Sequence, residues 1–290
     1  MIPQAFDYFA PTSVADALRL LRQHGDEAKL LAGGHSLLPI MKLRLSTPQC
    51  LIDLGKISEL RFIGEADDGC LAIGAMSTYH DIKNSALVQE RVPALAAAAG
   101  EVGDVQVQNK GTIGGSLAHA DPAGDFPALA LALNFELVTA TARSGRTIAI
   151  DRFFRDLLTT ALRPNEILTE VHIPALPAGT GVSYQKLPNK ASHYAVVGVA
   201  AAITVGGDGV CTEARIGVTG AGPTAVRARN TERILKGKHI DAAVIRRAAK
   251  RAAANIEDLN DDLHASADYR EHLTTVFAAR AIEEALSRAG

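Results

Sequence analysis

An α+β fold in two domains is what this sequence predicts, and three observations carry the prediction. Strand-like and helix-like segments are mixed with local hairpins, where a doubly wound sheet would alternate them as β-α-β units. A run dense in proline and glycine, Pro174-Ala-Leu-Pro-Ala-Gly-Thr-Gly181, marks a boundary. Beyond it come three strand-like segments and then a helical pattern to the end, which reads as a three-stranded antiparallel sheet covered by helices.

The elements follow in order. Thr12 or Ser13 caps a helix whose Val14, Ala17, Leu18 and Leu21 recur on one face and which ends near His24-Gly25. Lys29 to Leu31 is a strand, Ser36 the cap of a short helix that tolerates Pro39 in its first turn, and Gln49 to Leu54 the next strand. These residues, 1 to about 55, make a first lobe. The second lobe, about 56 to 176, opens with Leu60 to Glu65 and Cys70 to Gly74 flanking the hairpin signal Ala66-Asp67-Asp68-Gly69, and Ser77 or Thr78 starts a helix. An alanine-rich helix spans Pro93 to about Glu101, another runs from Ala128 to Leu133, and Glu136 to Ala142 pairs with Arg146 to Ile150 across Ser144-Gly145. Ile167 to Ile173 is the last strand of this half. In the second domain, residues 177–290, the strands are Val182 to Leu187, Val196 to Val205 and Val210 to Val218. Asp241 caps a helix to about Asn255, and a final helix starts near Ser266 with Ala278, Ile282, Ala285 and Leu286 on one face.

Composition narrows the class. At 290 residues, 47% hydrophobic, 21% charged and with a net charge of -2, the chain is an ordinary globular protein with no electrostatic case for nucleic acid. The basic pairs Arg246-Arg247 and Lys250-Arg251 have helical spacing and read as a solvated face. Cys50, Cys70 and Cys211 are scattered and form no Cys-x-x-Cys, so no iron–sulfur or zinc site is expected. An odd cysteine count and the lack of an amino-terminal charged-then-apolar segment favour free thiols and a cytoplasmic location. No apolar run approaches the ~18 residues of a membrane helix.

Two glycine pairs carry the chemistry. Gly33-Gly34 lies in Ala32-Gly-Gly-His35-Ser36, and Gly114-Gly115 lies in Gly111-Thr112-Ile113-Gly-Gly-Ser116. Each is followed closely by a hydroxyl, so both read as turns whose bare backbone N–H groups meet an anion, a dinucleotide pyrophosphate being the natural ligand. Either pair alone also fits an ordinary tight turn. Neither matches Gly-x-Gly-x-x-Gly or Gly-x-x-x-x-Gly-Lys, which removes Rossmann and P-loop readings. After the second pair, Asp121-Pro122 and Asp125 precede a helix; Asp125 is either its N-cap or a hydrogen-bond acceptor for ligand hydroxyls. His35, His119 and His193 stand singly, with no Gly-x-Ser-x-Gly or His-Glu-x-x-His nearby, so the chain offers no catalytic constellation of its own.

Ala-Gly-Gly-His-Ser-Leu-Leu-Pro-Ile-Met-Lys-Leu-Arg-Leu from 32 to 45 and Gly-Thr-Ile-Gly-Gly-x5-Asp-Pro-x-x-Asp-x-Pro from 111 to 127 resemble the two flavin signatures of the FAD-binding medium subunits of molybdenum hydroxylases. Ile2-Pro3-x-x-Phe6-Asp7-Tyr8-x-x-Pro11, the stretch from Glu166 to Pro174 and Tyr184-Gln-Lys-Leu187 are similar too, so the resemblance spans nearly the whole chain. Within the family it is closest to the medium subunits of aerobic carbon monoxide dehydrogenases.

The resemblance implies a two-subdomain FAD-binding domain of the vanillyl-alcohol oxidase type, residues 1–176, followed by the smaller domain. It implies electron transfer inside a complex with a large molybdenum-cofactor subunit and a small [2Fe–2S] subunit, assembled as a dimer of heterotrimers. Carbon monoxide, nicotine, purine and aldehyde stay open as substrates of that complex, and so do the final acceptor and any quinone or membrane contact. Carried over by position, Ala32, Gly33, Gly34, His35 and Ser36 with Gly111, Thr112, Ile113, Gly114, Gly115 and Ser116 hold the FAD diphosphate, and Asp125 meets the sugar portion. Many relatives have asparagine at the position of Ser116. Leu168 and Lys186 fall near the flavin, Lys186 being equally readable as a surface lysine. Tyr194, at a strand's mouth, either lies on the isoalloxazine or is an ordinary rim tyrosine. The cysteine-bearing loop that carries an extra cluster in some relatives is absent. A free-standing flavin oxidase and a flavin-free assembly module are the rival readings.

Overall fold

The structure, a computed structural model, describes residues 2–289. Strands β1 (Asp7–Phe9), β2 (Ala28–Leu31) and β3 (Cys50–Asp53) form a parallel sheet in the order β1-β3-β2. Helix α1 (Val14–His24) makes the crossover; Ser13 Oγ accepts from the Asp16 N–H, and Ala17, Leu18 and Leu21 are buried as the spacing predicts. Helix α2 (Leu37–Lys42) links β2 to β3. Ser36 precedes it with helical backbone angles and makes no capping bond, so its hydroxyl is not consumed by the helix it was expected to cap.

The second lobe is a five-stranded antiparallel sheet with a helical layer. Its strands are β4 (Ile63–Glu65), β5 (Leu71–Gly74), β6 (Glu136–Ala140), β7 (Gly145–Ala149) and, after the small hairpin β8 (Phe154–Asp156) and β9 (Thr159–Thr160), β10 (Ile167–Ile173). The order is β4-β5-β10-β6-β7. Between β5 and β6 lie α3 (Tyr79–Asn84), α4 (Ala86–Arg91), α5 (Pro93–Glu101), α6 (Val105–Lys110), α7 (Ile113–His119) and α8 (Asp125–Ala132). Thr78 and Asp81 form a reciprocal capping box that starts α3. Two sequence readings change here. The second glycine pair sits in the first turn of α7, capped by Thr112, and is not a turn. Asp125 is the first residue of α8, whose N-cap is Gly124, and its side chain makes no cap.

Beyond Pro177 the sheet has four strands where three were expected: β11 (Thr180–Pro188), β12 (Ala195–Val205), β13 (Cys211–Thr219) and β14 (Val226–Arg227), all antiparallel in that order. Two residues cannot display an alternating pattern, so β14 left no trace in the sequence. Helices α9 (Arg229–Leu235), α10 (Ala242–Ala249) and α11 (Ala267–Ser287) cover one face. The helix expected to reach Asn255 stops at Ala249 and continues as a short 3-10 turn.

The other face of this sheet packs on the second lobe. One buried cluster contains Leu95, Phe126, Leu129 and Phe135 together with Val182, Tyr184, Ala200 and Ala202. All eight residues of α8 are buried, and the approach is so close that a Cβ on Gly217 of β13 would lie 2.1 Å from the Ala128 carbonyl oxygen.

Candidate functional site

A cleft of about 490 Å³ runs between the lobes and under the connection from β11 to β12, which contributes Ser192, His193 and Tyr194. Its walls bring together Ala32, Gly33, Gly34, His35 and Ser36, then Gly111, Thr112, Gly114, Gly115 and Ser116, and also Asp125, Leu168 and Tyr194. Segments eighty residues apart in sequence meet because glycine lets them. A Cβ on Gly33 would fall 2.1 Å from the Lys110 carbonyl oxygen, one on Gly111 2.6 Å from the Tyr79 ring, and one on Gly114 2.5 Å from the Ala75 Cβ. Gly34 adopts φ +78°, the left-handed conformation that glycine tolerates.

The two signatures differ in what their backbones leave free. The N–H groups of Gly33, Gly34, His35 and Ser36 have no acceptor among the described residues. In the second segment the Ile113 N–H donates to Ser77 O, Gly114 to Ala75 O, Gly115 to Thr112 Oγ1 and Ser116 to Thr112 O. Four consecutive unpaired donors facing a cleft form an anion cradle, because backbone N–H groups left without partners bind negative oxygens. The second segment instead offers hydroxyls and close packing. Ile113 is fully buried in the core and does not line the cleft.

Asp125 and Lys186 form an ion pair at 2.9 Å with both side chains only 4% exposed. Lys186 Nζ also donates to Glu101 O and His193 O, and the Tyr184 hydroxyl donates to Asp125 Oδ1. Lys186 is therefore no surface lysine. Burial pushes the Asp125 carboxyl upward, opposed by the ammonium and the phenol. Tyr194, 40% exposed, stands at the start of β12 over the cleft; burial and Asp121 raise its phenol, and the Ser36 hydroxyl pulls the other way. Leu168 lies in β10 beside a bulge between Leu168 and Glu170, which turns the strand at the cleft wall.

Several lining residues carry no site assignment in the sequence reading. Tyr79 packs on Phe126 with ring centroids 5.0 Å apart, and burial raises its phenol. His119 is the last residue of α7, and Asp121 follows it through Ala120, a left-handed residue. Glu166 is held by Arg146 Nε and Nη2, the Thr139 hydroxyl and the Arg163 N–H. Burial alone would raise its carboxyl, but these donors outweigh it and lower the pKa from 4.5 to about 2. A depressed carboxylate stabilises the fold above its unfolded pKa and loses that contribution as pH falls. Glu166 therefore contributes fully above about pH 4.5 and progressively less toward about pH 2. Glu166→Gln is expected to cost about 2 kcal/mol at neutral pH and to flatten the acid limb of stability, read from urea unfolding at pH 7 and pH 3.

A cleft with an anion cradle, hydroxyls and apolar walls has the chemistry of a dinucleotide-binding site. Residues 4–176 match the family described as FAD binding domain in molybdopterin dehydrogenase, and residues 182–285 match the CO dehydrogenase flavoprotein C-terminal domain. The carbon monoxide dehydrogenase medium chain of Hydrogenophaga pseudoflava is 42% identical over 288 residues, 99% of each chain. The 6-hydroxypseudooxynicotine dehydrogenase complex subunit alpha of Paenarthrobacter nicotinovorans is 35% identical over 289 residues, covering 100% of this chain and 97% of that one. The solved carbon monoxide dehydrogenase of Hydrogenophaga pseudoflava that lacks the Mo-pyranopterin moiety superposes with a TM-score of 0.96 at 43% identity, covering both chains completely. The chain belongs to the FAD-binding medium subunits of the molybdenum hydroxylases. It is an oxidoreductase subunit, and its cofactor is FAD.

Proposed function

We propose that this chain carries FAD as the electron-transfer subunit between a small [2Fe–2S] subunit and an external acceptor, in a complex whose large subunit holds the molybdenum cofactor. The observation that carries the reading is the run of unpaired N–H groups from Gly33 to Ser36 in the cleft. When bound, FAD supplies the redox chemistry, with electrons entering from a cluster of the small subunit and leaving to the acceptor.

The chain's own residues bind and orient. Gly33 to Ser36 hold the diphosphate, with hydroxyls of Thr112 and Ser116 beside them; Ala32, Gly111, Gly114 and Gly115 keep the two segments close. Ile113 anchors the second segment in the core. Asp125 and Lys186 brace the wall toward the second domain, Leu168 gives an apolar wall, and Tyr194 covers the flavin ring from the rim. The finer assignments belong to the same proposal: a two-subdomain FAD-binding domain of the vanillyl-alcohol oxidase type over 1–176, a second domain over 177–290, a dimer of heterotrimers, and a cytoplasmic location. No described helix is long and apolar enough to cross a membrane. Carbon monoxide is the proposed substrate of the complex, supported by the 42% identity to one such medium chain.

His35 gives the cleanest test, since its side chain is exposed while its N–H belongs to the cradle. His35→Asp places a carboxylate beside the phosphates without disturbing packing, at about 1 kcal/mol per charge pair in water and more in the cleft. FAD affinity is expected to fall roughly tenfold or more with an unchanged circular dichroism spectrum. Unaltered affinity at low salt would move the diphosphate away from Gly33 to Ser36, and a colourless wild-type chain would favour the assembly module. Substrate oxidation by the isolated chain at the rate of the complex would favour the free-standing oxidase.

A further inference from the structure

The segment that presents Tyr194 is built around one side chain. Asn189 Oδ1 accepts from the Ala191 and Ser192 N–H groups at 2.9 and 3.2 Å. Its backbone N–H donates to Tyr194 O, and its carbonyl accepts from the His193 N–H. His193 takes φ +62°, a conformation that costs a non-glycine residue energy and that persists only where the surroundings fix it. The His193 carbonyl is in turn held by Lys186 Nζ.

The outer side of Asn189 is also tied down. Its Nδ2 lies 3.2 Å from His264 Nδ1, at hydrogen-bonding distance. His264 sits in a loop shaped by Asp262, which accepts from the His264 and Ala265 N–H groups and pairs with Arg270 Nη2 at 2.7 Å. Arg270 is 4% exposed and donates through Nη1 to Val196 O and Gly220 O. The segment 189–196 is thus clamped at both ends by one frame, Asn189 with His264 at the start and Arg270 at Val196. A loop that merely closed a chain connection would not need this much fixing.

We infer that Asn189 is a positioning residue for Tyr194, with His264, Asp262 and Arg270 forming the frame that sets the angle at which the phenol ring covers the cleft. The inference rests on the proposed placement of Tyr194 over the flavin. Asn189 touches neither the cleft nor any cradle group, and it acts through the backbone alone.

The test uses the FAD-loaded chain and four variants: Tyr194→Ala, Asn189→Ala, the double variant and Asn189→Asp. Tyr194→Ala is expected to shift the visible flavin bands and the reduction potential. Asn189→Ala shifts them in the same direction while FAD content stays stoichiometric, and the double variant matches Tyr194→Ala alone. Asn189→Asp, which keeps the acceptor for Ala191 and Ser192, restores most of the wild-type spectrum. Additive shifts in the double variant would overturn the inference. In parallel, hydrogen exchange at Ala191, Ser192 and His193 is expected to quicken roughly tenfold in Asn189→Ala, with β11 and β12 unchanged; unchanged exchange at those three amides would also overturn it. If Tyr194→Ala left the flavin bands and potential untouched, the placement of Tyr194 would fail, and the exchange measurement would still decide the role of Asn189.

Discussion

A Gly33→Ala chain is expected to lose its flavin and to loosen the junction of its two lobes together. The added methyl would overlap the Lys110 carbonyl oxygen at 2.1 Å and crowd Gly111 at 2.8 Å. Both obstacles are backbone, so no side chain can swing aside, and the Gly33–Ser36 segment must back away from the end of α6. Overpacking of this kind costs about 1–3 kcal/mol, and here it also misaligns four N–H donors. Flavin absorbance per chain after gel filtration is expected at a tenth of wild type or less, with a lower unfolding midpoint. The contact with Lys110 shows that Gly33 serves the fold, apart from any part it takes in the cradle. A Gly33→Ala chain with full flavin would mean that the diphosphate is held elsewhere.

Lys186→Met is expected to be the most destabilising single change at the domain junction. It strands the Asp125 carboxyl in the core with only the Tyr184 hydroxyl, and it releases the carbonyls of Glu101 and His193. Breaking a buried pair from one side costs about 3–5 kcal/mol. Asp125→Asn in the same chain removes the stranded charge and is expected to recover part of the loss. Chemical unfolding of the two single variants and the double variant gives the coupling; strict additivity would mean that the pair does not act as a unit.

Much of the architecture was legible. Helix boundaries at Val14, Pro93 and Ser266 and the strand Ile167–Ile173 follow from caps and apolar spacing, which are local signals. What the sequence hid was decided by tertiary partners. Val105–Lys110 is a helix held by Asp104 and by packing, too short to show a period. The glycines of the second pair look like those of the first, yet the Gly114 N–H is taken by Ala75 O from across the fold and the Gly115 N–H by the capping Thr112 hydroxyl. Asp125 reads as a cap or as an acceptor for ligand hydroxyls, and only the fold brings Lys186 and Tyr184, about sixty residues on, to its carboxylate. Glu166 belongs to a recognisable stretch, but only the register of β6 and β7 brings Thr139 and Arg146 to it.

Helix α8 carries one more consequence, for synthesis. Its eight residues are covered on one side by its own lobe and on the other by β12 and β13, which leave the ribosome some seventy residues or more later. A nascent chain that has emerged only to Leu176 holds an apolar helix with its outer face uncovered, the kind of surface that invites aggregation or chaperone capture. Residues 125–132 thus acquire their full cover only when β12 and β13 dock on them.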